Sequence, residues 1–312
     1  MTLMDRIERG GVVLMDGAMG TELERRGVPM HGQAWSAAAM DSHPEVVRDI
    51  HRDYIAAGAE LHIVNSFALG RHVLERAGLG DRFEAVNRRS VELCKEAIDS
   101  AAVDRPQWIT GSLSTFADKS NRGLLPQGPN LRASYAEQAE ILREAGADLF
   151  ALEMLCDVEI SIAALHAAAA TKLPVILGFT CSWDDDGTTV LAGAHDMGVK
   201  ALPLAEVLLP VLAAIPDGTA AMVAVMHSEF DVSDAALAVI QDHWSGPTSV
   251  YPNSGGFIFP NWQFDTVCTP DEFADAGVRW IAAGAQVVGG CCGVGPPHIE
   301  ALAARLAKSQ SA

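Results

Sequence analysis

The stretch HPEVVRDIHRDYIAAGAELHIVNS, residues 43–66, contains one complete repeating unit of the fold. Its first part has apolar residues at helical spacing, and it begins at Pro44, whose fixed φ angle suits a first helical turn. Gly58 ends this part, and the apolar segment ELHIVNS (60–66) follows as a short strand buried on both faces. A helix, one glycine turn and a buried strand predict an α/β unit with a parallel strand.

The same arrangement recurs along the chain. Ala-Gly-Ala precedes three predicted strands, in AGAE (57–60), AGAD (145–148) and AGAQ (283–286). Short apolar segments predict eight strands in all: GVVLMDG (11–17), ELHIVNS (60–66), QWITGS (107–112), DLFALE (148–153), PVILGFTC (174–181), AAMVAVMH (220–227), TSVYPN (248–253) and AQVVGG (285–290). Helical segments separate them, including 134–147, with a Ser134/Glu137 capping box, and 271–285.

Eight strands with eight helical crossovers predict an α/β fold, a single (β/α)8 TIM barrel that spans residues 1–312 as one domain. The alternative is an open, doubly wound sheet. That fold should carry a glycine-rich phosphate loop after its first strand, and DGAMGTEL (16–23) matches such a loop poorly.

Composition narrows the class of function. The formal net charge of the 312 residues is -18, which disfavours nucleic acid and anionic membranes as partners. Six cysteines are too few for a disulfide scaffold, and the first residues lack the apolar core of a signal peptide. We expect a soluble cytoplasmic protein with reduced thiols.

Polar residues collect at the predicted strand ends, where TIM barrels place their active sites. In chain order these residues are Asp16, Asn65, Ser112, Glu153, Cys181, His227, Asn253 and the pair Cys291/Cys292. The strand bodies are apolar, so the polar residues predict a site at the carboxyl-terminal rim.

The adjacent cysteines in VVGGCCGVGPPHIEAL (287–302) suggest a soft metal, because glycines on both sides let the backbone turn around an ion. His227, Cys291 and Cys292 would supply three Zn²⁺ ligands and leave a fourth position for substrate. A buried thiol pair and a capping histidine are the alternative interpretation. Asp16 and Glu153 suit a ligand with an amino group, and Asn65, Ser112 and Asn253 could hydrogen-bond a carboxylate.

Motifs across about residues 11–305 resemble the zinc-dependent homocysteine S-methyltransferases. The matching segments are LMDGAMGTEL (14–23), AWSAAAM (34–40), YIAAGAELHIVNSFALGR (54–71), GSLSTFAD (111–118), AGADLFALEMLCDVEISIAAL (145–165), LPVILGFTCSWDDDGTTVLAG (173–193), VYPNSGG (250–256) and GAQVVGGCCGVGPPHIEALA (284–303). The chain also resembles the short, single-domain members that use S-methylmethionine or S-adenosylmethionine as methyl donor.

The resemblance implies a barrel enzyme that binds zinc through three cysteines and methylates the sulfur of homocysteine. Cys291 and Cys292 match two of those ligands, and Asp16 and Glu153 match acidic residues that hold the amino acid. The third cysteine is replaced, because AVMHSEFD (224–231) places His227 at its position. A neutral imidazole makes the zinc site one charge unit more positive, so a bound thiol should deprotonate more readily but attack more weakly.

The third zinc ligand, the donor site and the function each have alternatives. Register could slip by one residue to Met226, and Cys181 or Cys268 could supply the third ligand. A cationic methyl donor favours aromatic faces, for which Trp35 and Phe67 are the first candidates, with Trp183 and Tyr251 behind them. The rival functions are a metal-free binding or regulatory barrel and a zinc hydrolase in which Glu153 or Asp16 acts as a base.

Overall fold

The computed structural model describes residues 1–30, 34–115, 128–193, 201–258 and 261–309, so the last three residues of the GSLSTFAD motif lie outside the described residues. The strands in chain order are β1 (Val13–Leu14), β2 (Leu61–Ile63), β3 (Trp108–Ser114), β4 (Leu149–Leu155), β5 (Val175–Phe179), β6 (Cys181–Trp183), β7 (Val190–Ala192), β8 (Leu202–Pro203), β9 (Ala221–Met226), β10 (Thr248–Tyr251), β11 (Gly256–Ile258), β12 (Asn261–Gln263) and β13 (Val287–Val288).

Eight of these strands form one parallel sheet in the order β1-β13-β10-β9-β5-β4-β3-β2. The two end strands are joined by a parallel bridge between Met15 and Leu61, and Asp16 N donates to Leu61 O at 2.9 Å. The sheet therefore closes into a barrel, which confirms the predicted TIM barrel and all eight predicted strands. It also excludes the open, doubly wound alternative.

Helices surround the ring: α1 (Leu3–Glu8), α2 (Gly20–Arg25), α3 (Ala39–Ser42), α4 (Pro44–Ala57), α5 (Arg71–Arg76), α6 (Phe83–Ala101), α7 (Pro129–Ala145), α8 (Val158–Ala170), α9 (Leu204–Ala213), α10 (Phe230–His243), α11 (Pro270–Ala282) and α12 (Pro296–Ser309). None of the helices described is long and apolar enough to cross a membrane.

The helix boundaries follow their terminal residues. Helix α4 begins at Pro44 and ends at Gly58, which has a φ of 112° in the left-handed region that glycine favours. The predicted start of α7 at Ser134 is wrong, because the helix already begins at Pro129 after Gly128. Proline at the first helical position needs no N–H partner there, so it gives an earlier start than the Ser134/Glu137 spacing.

Alternating side chains divide the core into two layers. Val13, Leu61 and Leu149 belong to a buried cluster inside the barrel, whereas Leu14 and Phe150 pack in the cluster between the strands and the helices. The alternation follows from the two-residue period of a strand. The alternation determines whether the side chain of each polar strand residue points into the barrel or toward the helices.

Two smaller sheets extend from the carboxyl-terminal rim. Strands β6, β7 and β8 pair antiparallel directly after β5, and β11 and β12 form a hairpin after β10. Cys181 is the first residue of β6 and lies in the outer core cluster. The rim around the barrel mouth is therefore built partly from segments that the eight-strand pattern does not include.

Candidate functional site

His227 lies directly after β9 and contacts two other predicted site residues. Its Nε2 is 2.8 Å from Glu153 Oε2, and its Nδ1 is 3.3 Å from Cys291 Sγ. The backbone of His227 has a φ of 52°, a left-handed conformation that histidine tolerates better than most residues. The imidazole therefore lies between a carboxylate and a thiol at the mouth of the barrel.

The two cysteines are held by a tight backbone turn after β13. Cys291 N donates to Pro252 O at 2.7 Å, and Cys292 O accepts from Ser254 N at 2.8 Å. Gly293 has a φ of 84°, and a Cβ at this position would lie only 1.9 Å from Ser254 O. Only glycine fits there, which explains the residue that follows the cysteine pair.

The sulfur atoms of this pair are 3.9 Å apart, and both cysteines are free. Cys291 is buried and Cys292 is half-buried. The hydrogen bond to Cys292 and burial raise the pKa of Cys291 well above its usual value. Without a positive charge nearby, Cys291 is therefore a protonated thiol at neutral pH.

The donor set at the mouth fits a soft divalent metal. Tetrahedral zinc with sulfur and nitrogen ligands would place its donor atoms about 3.5–3.8 Å apart. The measured separations, 3.3 Å from His227 Nδ1 to Cys291 Sγ and 3.9 Å between the sulfurs, lie close to that range. Cys291 contacts each of the other two donors, but the ligand atoms of His227, Cys291 and Cys292 do not all lie within 4.8 Å of one another, so these residues would hold an ion only after a small shift of their side chains.

Glu153 points into the barrel because it follows the two-residue alternation of β4, in step with Leu149 and Ala151 of the inner cluster. The pairing with β3 stays in register through Glu153. On the other side of β4, the pairing with β5 shifts register between Leu152 and Leu155, and Met154 has a φ of 63°. Glu153 Oε1 accepts a hydrogen bond from the Ser112 hydroxyl, and Glu153 Oε2 faces His227. Both carboxylate oxygens therefore have partners within the site.

Asp16 lies after β1 and is almost fully buried, with 1% exposed. Its Oδ2 accepts from Ile63 N at 3.0 Å, and its Oδ1 lies 3.5 Å from the Tyr251 hydroxyl, which also donates to Gly17 O at 3.0 Å. Burial raises the pKa of Asp16 well above its usual value, although the Ile63 hydrogen bond opposes this shift. Asp16 is the second carboxylate of the mouth.

Asn65 and Trp35 belong to one small assembly. Asn65 Oδ1 accepts from Ser36 Oγ at 2.6 Å, and Asn65 Nδ2 donates to Ser36 O at 3.2 Å. These bonds hold the segment that carries Trp35, whose ring centroid is 5.5 Å from that of Phe257. The amide of Asn65 is thus committed to positioning the Trp35 segment.

Phe67 follows β2 and Asn253 follows β10. The Phe67 ring centroid is 5.4 Å from that of His227. Asn253 N donates to Ser228 O at 2.8 Å, and Asn253 Oδ1 is buried without a hydrogen-bond partner. An unpartnered buried acceptor is unfavourable, so Asn253 Oδ1 is available to an N–H donor of a ligand.

The other candidate residues form their hydrogen bonds with groups other than the His227 side chain. Cys181 is buried in the outer layer, where burial raises its pKa to about 12. Cys268 lies just before α11, with its backbone N–H bonded to Ser254 Oγ at 2.7 Å. Trp183 Nε1 donates to Asp231 Oδ2 at 3.2 Å. The side chain that contacts Cys291 Sγ is therefore that of His227 and not either of these thiols.

A second group of ligand-type side chains was not expected from the sequence. Among the residues that the structure describes, Asp16, His51 and His62 form one set of three whose ligand atoms all lie within 4.8 Å of one another. Burial lowers the pKa of His51 to about 3 and that of His62 to about 4, so both rings are neutral at physiological pH. Both histidines occur in the first helix–strand unit, but neither lies at a strand end, so nothing in their spacing predicted the group.

Comparison with known proteins gives one consistent family. The profile of the homocysteine S-methyltransferase family matches residues 13–306. A homocysteine S-methyltransferase of Escherichia coli (strain K12) is 31% identical, with 96% of each chain covered, and a selenocysteine Se-methyltransferase of Brassica oleracea var. italica is 27% identical, with 97% of this chain and 91% of the relative covered.

A solved structure agrees with these relatives. The homocysteine methyltransferase MmuM from E. coli, in its metallated form, superposes with a TM-score of 0.73 at 28% identity, and the match covers 97% of this chain and 99% of that one. The fold, the chain length and the order of the motifs are therefore shared over nearly the whole chain.

Proposed function

Because the chain belongs to the homocysteine S-methyltransferase family, we propose that it transfers a methyl group from a sulfonium or quaternary ammonium donor to the thiol of homocysteine, which yields methionine. The observation that carries this proposal is the contact series Glu153–His227–Cys291–Cys292 at the barrel mouth. This series supports the proposal, because its side chains are of the type that binds soft metals and lie where a TIM barrel binds substrate.

We assign Zn²⁺ to this donor set, with His227, Cys291 and Cys292 as its protein ligands. A zinc ion held there would lower the pKa of the acceptor thiol and supply a thiolate at neutral pH. The metallated form of MmuM supports a metal in the family fold. Glu153 acts as the carboxylate that fixes the imidazole of His227, since metal-bound histidines commonly use their second nitrogen in this way.

Asp16, Asn253 and the remaining lone pairs of Glu153 are the groups that we assign to the amino-acid part of the acceptor. Asn253 Oδ1 lacks a partner, and Asp16 Oδ1 faces the mouth beside Tyr251. An ammonium group would satisfy these acceptors. Asn65 acts through Ser36, because it ties down the segment that presents Trp35.

Aromatic faces provide the environment for a cationic donor. Trp35 and Phe257 form an edge-to-face pair, and Phe67 lies beside His227. A sulfonium or quaternary ammonium centre is attracted to such faces, and the attraction disappears once the methyl group has left and the donor is neutral. The chain's own residues thus position the acceptor and donor and limit the access of water.

Further observations bear on the cellular location, on a second acceptor and on the charge of the donor. Cys94, Cys181, Cys268, Cys291 and Cys292 form no disulfide among the residues that the structure describes, which supports a reducing cytoplasmic location. The family includes selenocysteine methyltransferases, so selenocysteine is the second acceptor to test. The electrostatics of a chain with net charge -18 favour small cationic donors over nucleic acid.

The direct test combines metal content with methyl transfer. Wild type, His227→Ala, His227→Cys and the surface control His243→Ala would be assayed with homocysteine or selenocysteine and four donors: S-methylmethionine, S-adenosylmethionine, glycine betaine and dimethylsulfoniopropionate. We expect methionine from at least one donor, loss of mouth zinc and activity in His227→Ala, and zinc retained in His227→Cys and His243→Ala.

Two results would replace the proposal. A folded, reduced wild type without zinc at the cysteine pair would favour a metal-free binding or regulatory barrel. Zinc without methylation of either acceptor, combined with hydrolysis of thiol-free substrates, would favour a zinc hydrolase that uses Glu153 or Asp16 as a base.

A further inference from the structure

A buried group of ligand-type side chains lies between the barrel wall and helix α4. His62 is in β2, between Leu61 and Ile63, which both belong to the cluster inside the barrel. His62 therefore faces the helix layer, where it meets His51 of α4 at a ring-centroid distance of 6.3 Å. Both histidines are 0% exposed, and Asp16, which lies just after β1, is the third member of the group.

The hydrogen bonds around His62 define where its ring proton lies. Gln107 Nε2 donates to Pro106 O at 2.8 Å, so Gln107 Oε1 is the atom that faces His62 Nε2 at 2.7 Å. An amide oxygen only accepts, which places the proton of the neutral ring on Nε2. The lone pair of His62 is therefore on Nδ1, which is buried without a hydrogen-bond partner.

This lone pair faces other electron-pair donors. His62 Nδ1 is 3.9 Å from Asp16 Oδ2, which is too long for a hydrogen bond and joins two atoms that both accept. Both ring nitrogens of His51 are also buried without a partner. A buried unpartnered polar atom costs about 1–3 kcal/mol, so three such nitrogens in one place are unusual without a ligand.

We propose that Asp16, His51 and His62 bind a divalent transition-metal ion of the Zn²⁺ type, at a second site that is separate from the cysteines of the mouth. Two neutral imidazoles and one carboxylate are a common ligand set for such ions. Gln107 would orient His62 from behind, as the outer partners of metal-bound histidines do.

The position of this site indicates its role. All three ligands are buried, with at most 1% exposed, so the ion would stabilise the packing of α4 against β1 and β2, with Asp16 as its link to the substrate site. Asp16 would use Oδ2 for the ion and keep Oδ1 directed at Tyr251. The inference goes beyond the proposed methyl transfer and does not depend on it.

The test removes the thiolate site first. The full-length Cys291→Ser/Cys292→Ser variant would be produced in zinc-supplemented medium, and bound metal would be measured by mass spectrometry. We expect about one zinc per chain in this variant and about two in wild type. Adding His62→Leu should reduce bound zinc about tenfold or more, as should the isosteric change Asp16→Asn. The half-buried control His166→Leu should leave it unchanged.

Substitution with Co²⁺ tests the ligand set of the site independently. The double-serine variant refolded with Co²⁺ should show the ligand-field bands of nitrogen and oxygen coordination, without thiolate-to-cobalt charge transfer. A folded double-serine variant that takes up neither zinc nor cobalt would overturn the proposal, and a bridging water would then occupy the site. Metal that persists in both His62→Leu and Asp16→Asn would overturn it as well. Neither result touches the mouth site, which is judged by the difference between wild type and the double-serine variant.

Discussion

The two groups of ligand-type side chains in this barrel both combine histidine with a carboxylate, but only the group at the mouth has thiols, and their surroundings differ. At the mouth, His227 has a partner on each ring nitrogen, and half-buried Cys292 borders the rim. Between the barrel wall and α4, His51 and His62 are fully buried, and three of their four ring nitrogens lack a hydrogen-bond partner. Asp16 lies between the two groups.

The difference shows that a barrel can place groups that act on substrate and groups that only stabilise the fold in different layers. A group at the strand ends can leave one coordination position to substrate, because the loops around it are open to ligands. A group within the barrel–helix interface has no such position and can only add stability. Substitutions in each group should therefore have different effects on activity and stability.

The largest effect should come from the cysteine pair. In Cys291→Ser/Cys292→Ser, loss of two mouth ligands should reduce methyl transfer by at least about 10³-fold, because no group then activates the acceptor thiol. Cys268→Ser, which changes a half-buried thiol outside the contact series, should retain activity. Steady-state rates and metal analysis check this. Equal losses in both variants would contradict the assignment.

Glu153→Gln should give the next largest effect. The amide keeps the shape but loses the charge that holds His227, so zinc affinity at the mouth should fall by about 10–100-fold. Competition with a chromophoric chelator measures this affinity directly. The surface variant Glu137→Gln serves as the control. Unchanged affinity with a raised homocysteine KM would instead make Glu153 a group that only binds the acceptor.

The buried group should make the metal-free protein sensitive to acid. His62 has a folded-state pKa of about 4, below its unfolded value of about 6.5, so the unfolded chain binds more protons between these values. Stability due to neutral His62 is present above pH 6.5 and is lost as the pH falls. Between pH 7 and pH 5 this loss should be about 2 kcal/mol.

His62→Leu isolates that contribution. Urea unfolding of chelator-treated protein should show wild type losing about 2 kcal/mol more than His62→Leu over this pH range. The exposed control His243→Leu should follow wild type. If His62→Leu has the same pH dependence as wild type, the ring is already protonated or hydrated in the folded protein.

The smallest effect should come from the aromatic rim. Trp35→Leu removes the indole beside Phe257 and should raise the KM of the donor about fivefold, in line with a cation–π contribution of about 1 kcal/mol. The homocysteine KM should stay the same, and Trp183→Leu should change neither value. A change confined to the homocysteine KM would place Trp35 on the acceptor side.

Sequence patterns predicted much of the fold because their causes are local. Pro44 and Gly58 bound α4 as expected, and eight apolar segments became eight strands. The start of α7 was missed because two local signals competed, and Pro129 prevailed over the Ser134 spacing. The division of residues 1–312 into one domain, and the roles of the individual site residues, stay predictions.

The barrel, the cysteine pair and the replacement at position 227 could be predicted from the amino-acid sequence, because the strand period, the glycine turns and the order of the motifs depend on neighbouring residues. The contacts of Glu153 with His227 and of His51 with His62 became visible in the folded chain. The first contact depends on the strand order, which places β4 and β9 on either side of β5, and the second on how α4 packs against β2. Each contact is set by the packing of separate elements, which no pattern of neighbouring residues specifies.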